Sequence, residues 1–503
     1  MNPTRARRAA ALILVSVMLA LALYVRLRLA DAPLERDEGE YAYAGQLILH
    51  GIPPYRLAYN MKFPGTYYAY SVLLAAFGQN ARAIRLGLTL IDAASALIVF
   101  LLGHRLLGWF GGAAAAAAFT VLALDRWVLG VFAHATHFAL LPALAGLLLL
   151  LRAEESRRAS HYAAAGALLG VAVLMKQHAV FLAAFGVVMA LRAGFGRACL
   201  VVAGIVASLL TAAAVLAGQG VFGQFVFWTV QYAKEYVSER TITSGVKTLA
   251  YALAEVSHAS RGFWLLAAGG LATMGLARTG SRERLWLIGL LLASFATVVP
   301  GFYFRDHYFV LMLPAIALLV GACLEYVGSA TLALVLFAGA LGAFVIRESD
   351  YLFSESPREV SRAIYGENPF IEAVEVADYL RTHTEPSERI AVIGSEPEIY
   401  FYAQRRSATG YIYTYALMEP QPYALRMQEE MIAEIEQAQP RYVVYVTARP
   451  SWDARTTSDD RILRWADVFT RQCYEPVEAA ALPSSTLRTF RRRAGVRDCR
   501  APR

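Results

Sequence analysis

The chain has 503 residues, 57% of them hydrophobic and 17% charged. Soluble domains usually carry about 25% charged residues, so this composition excludes an ordinary soluble globular protein. The net charge of +8 does not imply nucleic acid. It is concentrated in short connectors between apolar runs, at Arg5, Arg7 and Arg8, 152–158, 192–197 and 278–284, as the bias of cytoplasmic loops toward Lys and Arg predicts.

The first apolar run, AALILVSVMLALALYV (10–25), approaches the roughly 20 residues that span a bilayer. A first span is expected near 9–29, read as a retained signal anchor because Arg26 and Arg28 interrupt the approach to a small-residue cleavage pattern. The outer segment 30–81 carries two aromatic, moderately apolar pieces, 41–50 and 66–78, whose Tyr content suits helices lying in the interface. Further spans are expected near 84–107, 110–125, 134–152, 160–176, 178–192, 196–218, 262–278, 284–300, 308–326 and 329–346, roughly 11 in all. The outer connectors then include Asp125-Arg126, Lys176-Gln177, 219–261 and GFYFRDHY (301–308).

After Ile346 the composition turns polar. FIEAVEVADYLRTH (370–383) and PYALRMQEEMIAEIEQAQ (422–439) have helical periodicity, and RIAVIG (389–394) and RYVVYV (441–446) read as buried strands. Strand–helix alternation predicts an α/β domain. The expected division is a membrane domain at 1–348 and an extracytoplasmic α/β domain at 349–503, outside because the span count is odd. Cys473 and Cys499 lie in this tail and could pair if it is extracytoplasmic. Cys199 and Cys323 sit in apolar runs. No CxxC, HExxH or P-loop pattern occurs.

Four carboxylates follow the first span in LERDEGEYAY (34–43). Asp37 can cap a helix starting at Glu38, with Glu40 at the third position. The same placement at a positive helix end would keep Asp37 ionised, as a base or metal ligand must be. Glu35 and Glu40 are expected to serve capping and solvent. Lys62, before Pro64-Gly65, could snorkel to headgroups or hold an anion. His134 and His137 in HATH share a helical face, a weak metal-ligand pattern without a third partner. MKQH (175–178) and FRDHYF (304–309) place Lys176, Gln177, His178, Arg305, Asp306, His307 and Tyr308 at outer turns, a cationic set suited to a lipid-linked phosphate.

Taken together, RDEGEYAYAGQ (36–46), KFPGTYY (62–68), KQHAVF (176–181) and HYFVLMLP (307–314) resemble the protein-O-mannosyltransferase-like branch of the GT-C membrane glycosyltransferases, which includes the lipid A aminoarabinose transferases. The resemblance covers essentially the whole chain, and 376–409 looks like the extracytoplasmic domain many members carry. It implies a GT-C fold and an inverting transfer of a sugar from a polyprenyl-phosphate-linked donor to a glycan, lipid or protein acceptor on the outer face of a bacterial inner membrane. It implies Asp37 and Glu38 as catalytic carboxylates. Lys62, Lys176, Arg305, His307 and Tyr308 would hold the donor phosphate, with Asp125, His137 and Gln177 as accessory candidates. Relatives can carry a Glu metal ligand where this chain has Met61, and an acidic residue where it has His137. A divalent metal ion therefore stays open, and no other cofactor is implied. The alternatives are a transporter or flippase of lipid-linked glycans, which the scarcity of mid-span charges disfavours, and a non-catalytic family member.

Overall fold

The computed structural model describes residues 3–237, 242–275, 280–479, 486–496 and 498–500. Arg278 of the last basic connector, residues 238–241 of the long connector, and the side chains of Arg5 and Arg8 lie outside the described residues. In chain order the longer helices begin with α1 (Pro3–Arg28), α2 (Arg36–Leu49), α3 (Gly65–Phe77), α4 (Ala81–Leu107) and α5 (Trp109–Leu122). Next come α6 (Ala135–Ser156), α7 (Ala159–Met175), α8 (Val180–Ala193), α9 (Phe195–Gly218) and α10 (Ile242–Val256). The apolar series ends with α11 (Arg261–Gly275), α12 (Ser281–Val298), α13 (Leu313–Tyr326) and α14 (Ala330–Arg347).

The helices α1, α4–α9 and α11–α14 fall where the apolar runs place spans, and α2 and α3 match the two aromatic pieces of the first outer segment. Among the described residues, six helical segments are long and apolar enough to cross a bilayer: those of α1, α4, α6, α9 and α14, and α13 together with the 3₁₀ turn before it. The protein is a multi-pass membrane protein.

The chain folds into two compact units. The membrane unit comprises Met1–Ala30, Arg85–Val215 and Arg240–Glu355. Its helices approach closely through small residues, as spans must when no hydrophobic effect drives them together. A Cβ on Gly112 of α5 would lie 2.5 Å from the His104 nitrogen of α4. One buried polar cluster crosses this packing. Arg26 of α1 pairs with Asp92 of α4 at 2.5 Å and donates to the carbonyls of Ala123 (2.8 Å) and Gly130 (3.1 Å). His137 of α6 lies 3.0 Å from Asp92 through Nδ1. A charge this deep in an apolar unit persists only when paired, and here three helices supply the partners. At the basic connectors Arg282 pairs with Glu154 at 3.0 Å, and Arg105 with Glu155.

The mixed unit comprises Asp31–Ile84, Leu216–Glu239 and Ser356–Arg503. Its sheet contains β1 (Arg389–Ile393), β2 (Arg406–Ser407), β3 (Tyr442–Val446), β4 (Tyr474–Val477) and β5 (Leu487–Arg492), in the order β2-β1-β3-β5-β4. Strand β1 runs parallel to β2 and β3, aligning Val392 with Val444, whereas β3–β5 and β5–β4 are antiparallel. All five residues of β3 are buried, as expected for a strand covered on both faces. The helices α15 (Phe370–His383), α16 (Glu398–Ala403), α17 (Ala424–Ala438) and α18 (Arg461–Cys473) complete the unit. The periodic segments 370–383 and 422–439 thus form helices as predicted, while α18, β4 and β5 carried no signal strong enough to be read. Cys473 at the end of α18 is disulfide-bonded to Cys499, with Cα atoms 5.9 Å apart.

Helix α2 joins the first outer segment to this sheet-bearing fold. Arg36 donates to the Ser395 carbonyl (2.6 Å), Tyr415 Oη (3.0 Å) and Asn368 Oδ1 (3.0 Å), and pairs with Glu396 at 3.0 Å. Gly39 explains how close α2 comes: a Cβ there would sit 2.6 Å from the Glu398 nitrogen and 2.7 Å from its Cβ. The glycine of the DEG motif is a packing requirement.

Candidate active site

The acidic stretch folds differently from the predicted cap. Helix α2 starts at Arg36, with Glu35 as its N-cap. Glu35 accepts from the Glu38 nitrogen at 2.8 Å, and Glu38 Oε2 accepts from the Glu35 nitrogen at 3.3 Å, a reciprocal capping box. The cap therefore lies two residues earlier than the sequence suggested, and it relieves Asp37 of capping. Glu38, expected beside Asp37 in catalysis, is fully buried and uses a carboxylate oxygen on the cap.

Asp37 and Glu40 are three residues apart, so they share one face of α2. Lys62 reaches both: its Nζ is 2.8 Å from Asp37 Oδ1 and 2.6 Å from Glu40 Oε2. The ammonium also lies 4.5 Å from the ring centroid of Tyr41 and 5.2 Å from that of Tyr413. Glu40, expected in solvent, is fully buried. Its second oxygen takes the Tyr67 hydroxyl at 2.6 Å, and Asn60 Nδ2 donates to Oε2 at 2.8 Å. Tyr413 Oη donates to Asp37 Oδ1 at 3.3 Å.

Burial opposes the charge on Lys62, but Asp37 and Glu40 outweigh it and hold the ammonium's pKa above its usual value. Burial pushes the Glu40 carboxyl up, against the pull of Lys62. Burial, with the Asp37 charge adding to it, raises Glu35 to about 8. The loop that delivers Lys62 is pinned by Tyr55, whose hydroxyl donates to the Lys62 carbonyl at 2.7 Å. Tyr55 has φ 65°, a strained value for a bulky residue.

Within the membrane unit a second group forms at the connectors. Lys176 Nζ lies 4.5 Å from the Tyr308 ring centroid, and the His178 ring packs edge-on against Tyr308 at 4.5 Å. His307 contacts Tyr308 at 4.9 Å and stacks on His134 at 4.2 Å, with an interplanar angle of 7°. His178 Nδ1 donates to the Thr297 carbonyl at 2.8 Å. Gln177 lies in the 3₁₀ turn that follows Lys176. Arg305 is exposed, its guanidinium over the Tyr303 ring at 5.5 Å. The segment before it holds Phe302 at φ 55° and Phe304 at φ 45°. Left-handed backbone at bulky residues costs of order 1–3 kcal/mol each and clusters at functional sites.

The accessory candidates have other partners. His134 precedes α6 with extended backbone, so it does not share a helical face with His137. His137 turns to Asp92 instead. Asp125 accepts from the Trp127 nitrogen at 3.0 Å, and burial lifts its carboxyl to about 7. Arg126 pairs with Glu348 at 2.7 Å. Sequence reasoning missed Tyr413, which is hundreds of residues from Asp37, and the inward role of Glu40. Tyr67, inside the KFPGTYY motif, was within reach of the sequence.

Residues 62–222 match the family model described as dolichyl-phosphate-mannose-protein mannosyltransferase. Among solved structures, ArnT from Cupriavidus metallidurans bound to undecaprenyl phosphate aligns at a TM-score of 0.65 and 15% identity, covering 97% of this chain and 98% of that one. The Archaeoglobus fulgidus oligosaccharyltransferase AglB, in complex with an inhibitory peptide and a dolichol-phosphate, aligns at 0.53 and 12%, covering 88% and 70%. A structure of the Archaeoglobus fulgidus oligosaccharyltransferase with Zn and sulfate aligns at 0.54 and 12%, covering 87% and 68%. No curated protein sequence matches the chain. The fold is that of ArnT and of the Archaeoglobus fulgidus oligosaccharyltransferase. The sequence match adds that 62–222, which contains Lys62 and Lys176, follows the mannosyltransferase pattern.

Proposed function

We propose that the protein is a glycosyltransferase that moves a sugar from a polyprenyl-phosphate-linked donor to an acceptor hydroxyl or amine, on the extracytoplasmic face of a bacterial inner membrane. The observation that carries this reading is the Asp37–Lys62 pair at 2.8 Å, built from the two motif segments that the sequence keeps 25 residues apart. Family resemblance and fold likeness support it.

In this reading Asp37 takes the acceptor proton while the acceptor atom attacks the anomeric carbon. The bond from that carbon to the phosphate oxygen breaks, and the electron pair leaves with polyprenyl phosphate. Attack opposite the leaving group inverts the anomeric centre. A base placed to accept that proton contributes about 10²–10⁴-fold. Lys62 pairs with Asp37 and orients it, and Glu40 anchors Lys62. Glu38 supports Asp37 through the cap that fixes the start of α2. Lys176 and Arg305 supply positive charge for the leaving phosphate, since charge developing on an oxyanion is stabilised most by preplaced cations. Tyr308 packs against Lys176, and His307 packs on Tyr308. His134 and His307 are the membrane unit's stacked imidazoles, and metal analysis before and after EDTA tests whether they hold a divalent ion.

The test is incubation of purified protein in nanodiscs with undecaprenyl-phosphate-linked mannose, glucose or 4-aminoarabinose, and with lipid A, oligosaccharide and peptide acceptors. Transfer is expected from one donor, reduced at least 100-fold in Asp37→Asn. Undiminished transfer by Asp37→Asn would remove Asp37 as the base, and transfer from none of the donors would overturn the reading.

A further inference from the structure

A cleft of about 500 Å³ opens in the mixed unit, lined by none of the residues given a catalytic role above. That volume lies within the range of about 300–1,000 Å³ typical of ligand sites. Its floor is aromatic. The rings of Tyr59 and Trp228 stack at 5.7 Å and 22°, and Tyr411 meets Tyr59 edge-on at 5.0 Å. Phe227 packs edge-on against Tyr423 at 5.2 Å on the opposite wall.

The rim is polar and of mixed charge. Tyr411 Oη donates to Glu430 Oε2 at 2.5 Å, and Arg426 Nε donates to Glu430 Oε1 at 2.7 Å. Tyr59 Oη donates to Glu434 Oε1 at 3.2 Å. Gln224 adds an amide.

Two backbone features hold this floor in place. A Cβ on Gly410 would lie 2.2 Å from the Tyr59 ring, so the glycine permits the ring to lie flat on the 409–411 segment. The Tyr59 nitrogen donates to the Gly410 carbonyl at 2.8 Å. Trp228 sits in a π-helical turn, Phe227–Tyr232, a distortion that is rare and frequent at functional sites.

We propose that this cleft binds the saccharide part of the acceptor. A pyranose has an apolar C–H face and a rim of hydroxyls. Flat aromatic rings bury the first, and a carboxylate–guanidinium pair both accepts from and donates to the second. An acyl chain would leave Glu430 and Arg426 without use, and an anionic headgroup would meet the Glu430 carboxylate. The cleft is also joined to the candidate base by very short chain. Tyr411 is two residues from Tyr413, which donates to Asp37, and Tyr59 is three residues from Lys62. At no more than ~3.6 Å per residue, those links span about 7 and 11 Å. A sugar in the cleft would leave the next residue of the same glycan within reach of Asp37.

Naming the occupant as the acceptor rests on the transferase reading, and the test separates the two. Protein in nanodiscs free of glycoside detergent is titrated with mannotetraose and with cellotetraose, following tryptophan fluorescence and heat. One of them is expected to bind. Tyr423→Ala and Glu430→Gln, both at half-buried positions, are each expected to weaken binding at least tenfold without altering the melting temperature, whereas Asp37→Asn leaves it intact. No binding of either saccharide by the wild type would overturn the proposal. So would equal binding by wild type and both cleft variants, or a fluorescence response to sugar-free lipid vesicles alone. In the transfer assay, an unchanged acceptor KM in Tyr423→Ala would overturn the cleft while leaving the transferase standing. Saccharide binding that depends on Tyr423, without transfer from any donor, would keep the cleft and overturn the transferase reading.

Discussion

Lys62 sits between two carboxylates, and this arrangement separates folding from chemistry at single residues. Glu40 is fully buried and holds Lys62 at 2.6 Å. Removing one partner of a buried pair strands the other, at a cost of about 3–5 kcal/mol. Lys62→Met should therefore lower the melting temperature, and the double variant Lys62→Met/Glu40→Gln should recover most of it while transfer stays lost. Full recovery of activity in the double variant would show that Lys62 serves only the fold. Protonation gives a second residue-scale expectation. Glu35, Glu40, Glu396 and Glu398 all have carboxyls raised by burial, Glu35 to about 8. Unfolding returns each to the range near 4.5, so the folded state binds more protons than the unfolded one between these values. Stability is then fully present below about 4.5 and declines as pH rises toward 8. Differential scanning from pH 5 to pH 8 should show a melting temperature falling by on the order of 5 °C, and Glu35→Gln should flatten part of that slope. A rising melting temperature over this range would contradict the buried-carboxyl account.

At the scale of elements, the two motif glycine and arginine positions do more than the motif pattern announces. Gly39 admits the Glu398 backbone against α2, and Arg36 ties the same turn to Ser395 and Glu396. Gly39→Ala would force α2 and α16 apart, at the roughly 1–3 kcal/mol that overpacking costs. We expect it to destabilise the mixed unit and to reduce transfer without touching Asp37; an unchanged melting curve would refute the close-packing account. In the membrane unit, Arg26, Asp92 and His137 bind α1, α4 and α6. Asp92→Leu alone should destabilise strongly because it leaves Arg26 buried and unpaired, while Arg26→Met/Asp92→Leu should recover part of the loss. Local periodicity made most helices legible, since a span or an amphipathic helix declares itself within its own residues. It could not place the N-cap, because LERDEGEYAY offers several acidic residues able to cap. Nor could it show that Tyr413 or Glu398 meets the first outer segment, because such partners are specified by packing across hundreds of residues.

For the whole molecule, chain connectivity adds what apolar length cannot. The mixed unit is assembled from Asp31–Ile84, Leu216–Glu239 and Ser356–Arg503, so the chain must return to the same side of the membrane each time it contributes a segment. Between the first and second segments lie α4–α9. Only α4, α6 and α9 there are long and apolar enough to be recognised as spans by length, and three crossings would deliver Leu216–Glu239 to the wrong side. The shorter α5, α7 and α8 must restore an even number. If all three cross, the total is six, which also sends the Arg-rich turns at 152–158 and 192–197 to the side opposite the flanking segments 31–84 and 216–239, in keeping with positive loops remaining inside. Between the second and third segments, α11–α14 give four. In a background lacking Cys199 and Cys323, single cysteines at Gln79, Lys234 and Arg358 should all react with an impermeant maleimide applied from outside, and one at Arg157 should react only after permeabilisation. Cys473 and Cys499, bonded to each other, should remain unlabelled until reduced. Labelling of Lys234→Cys from the cytoplasmic side would break the parity argument, and with it the assembly of the three segments into one unit.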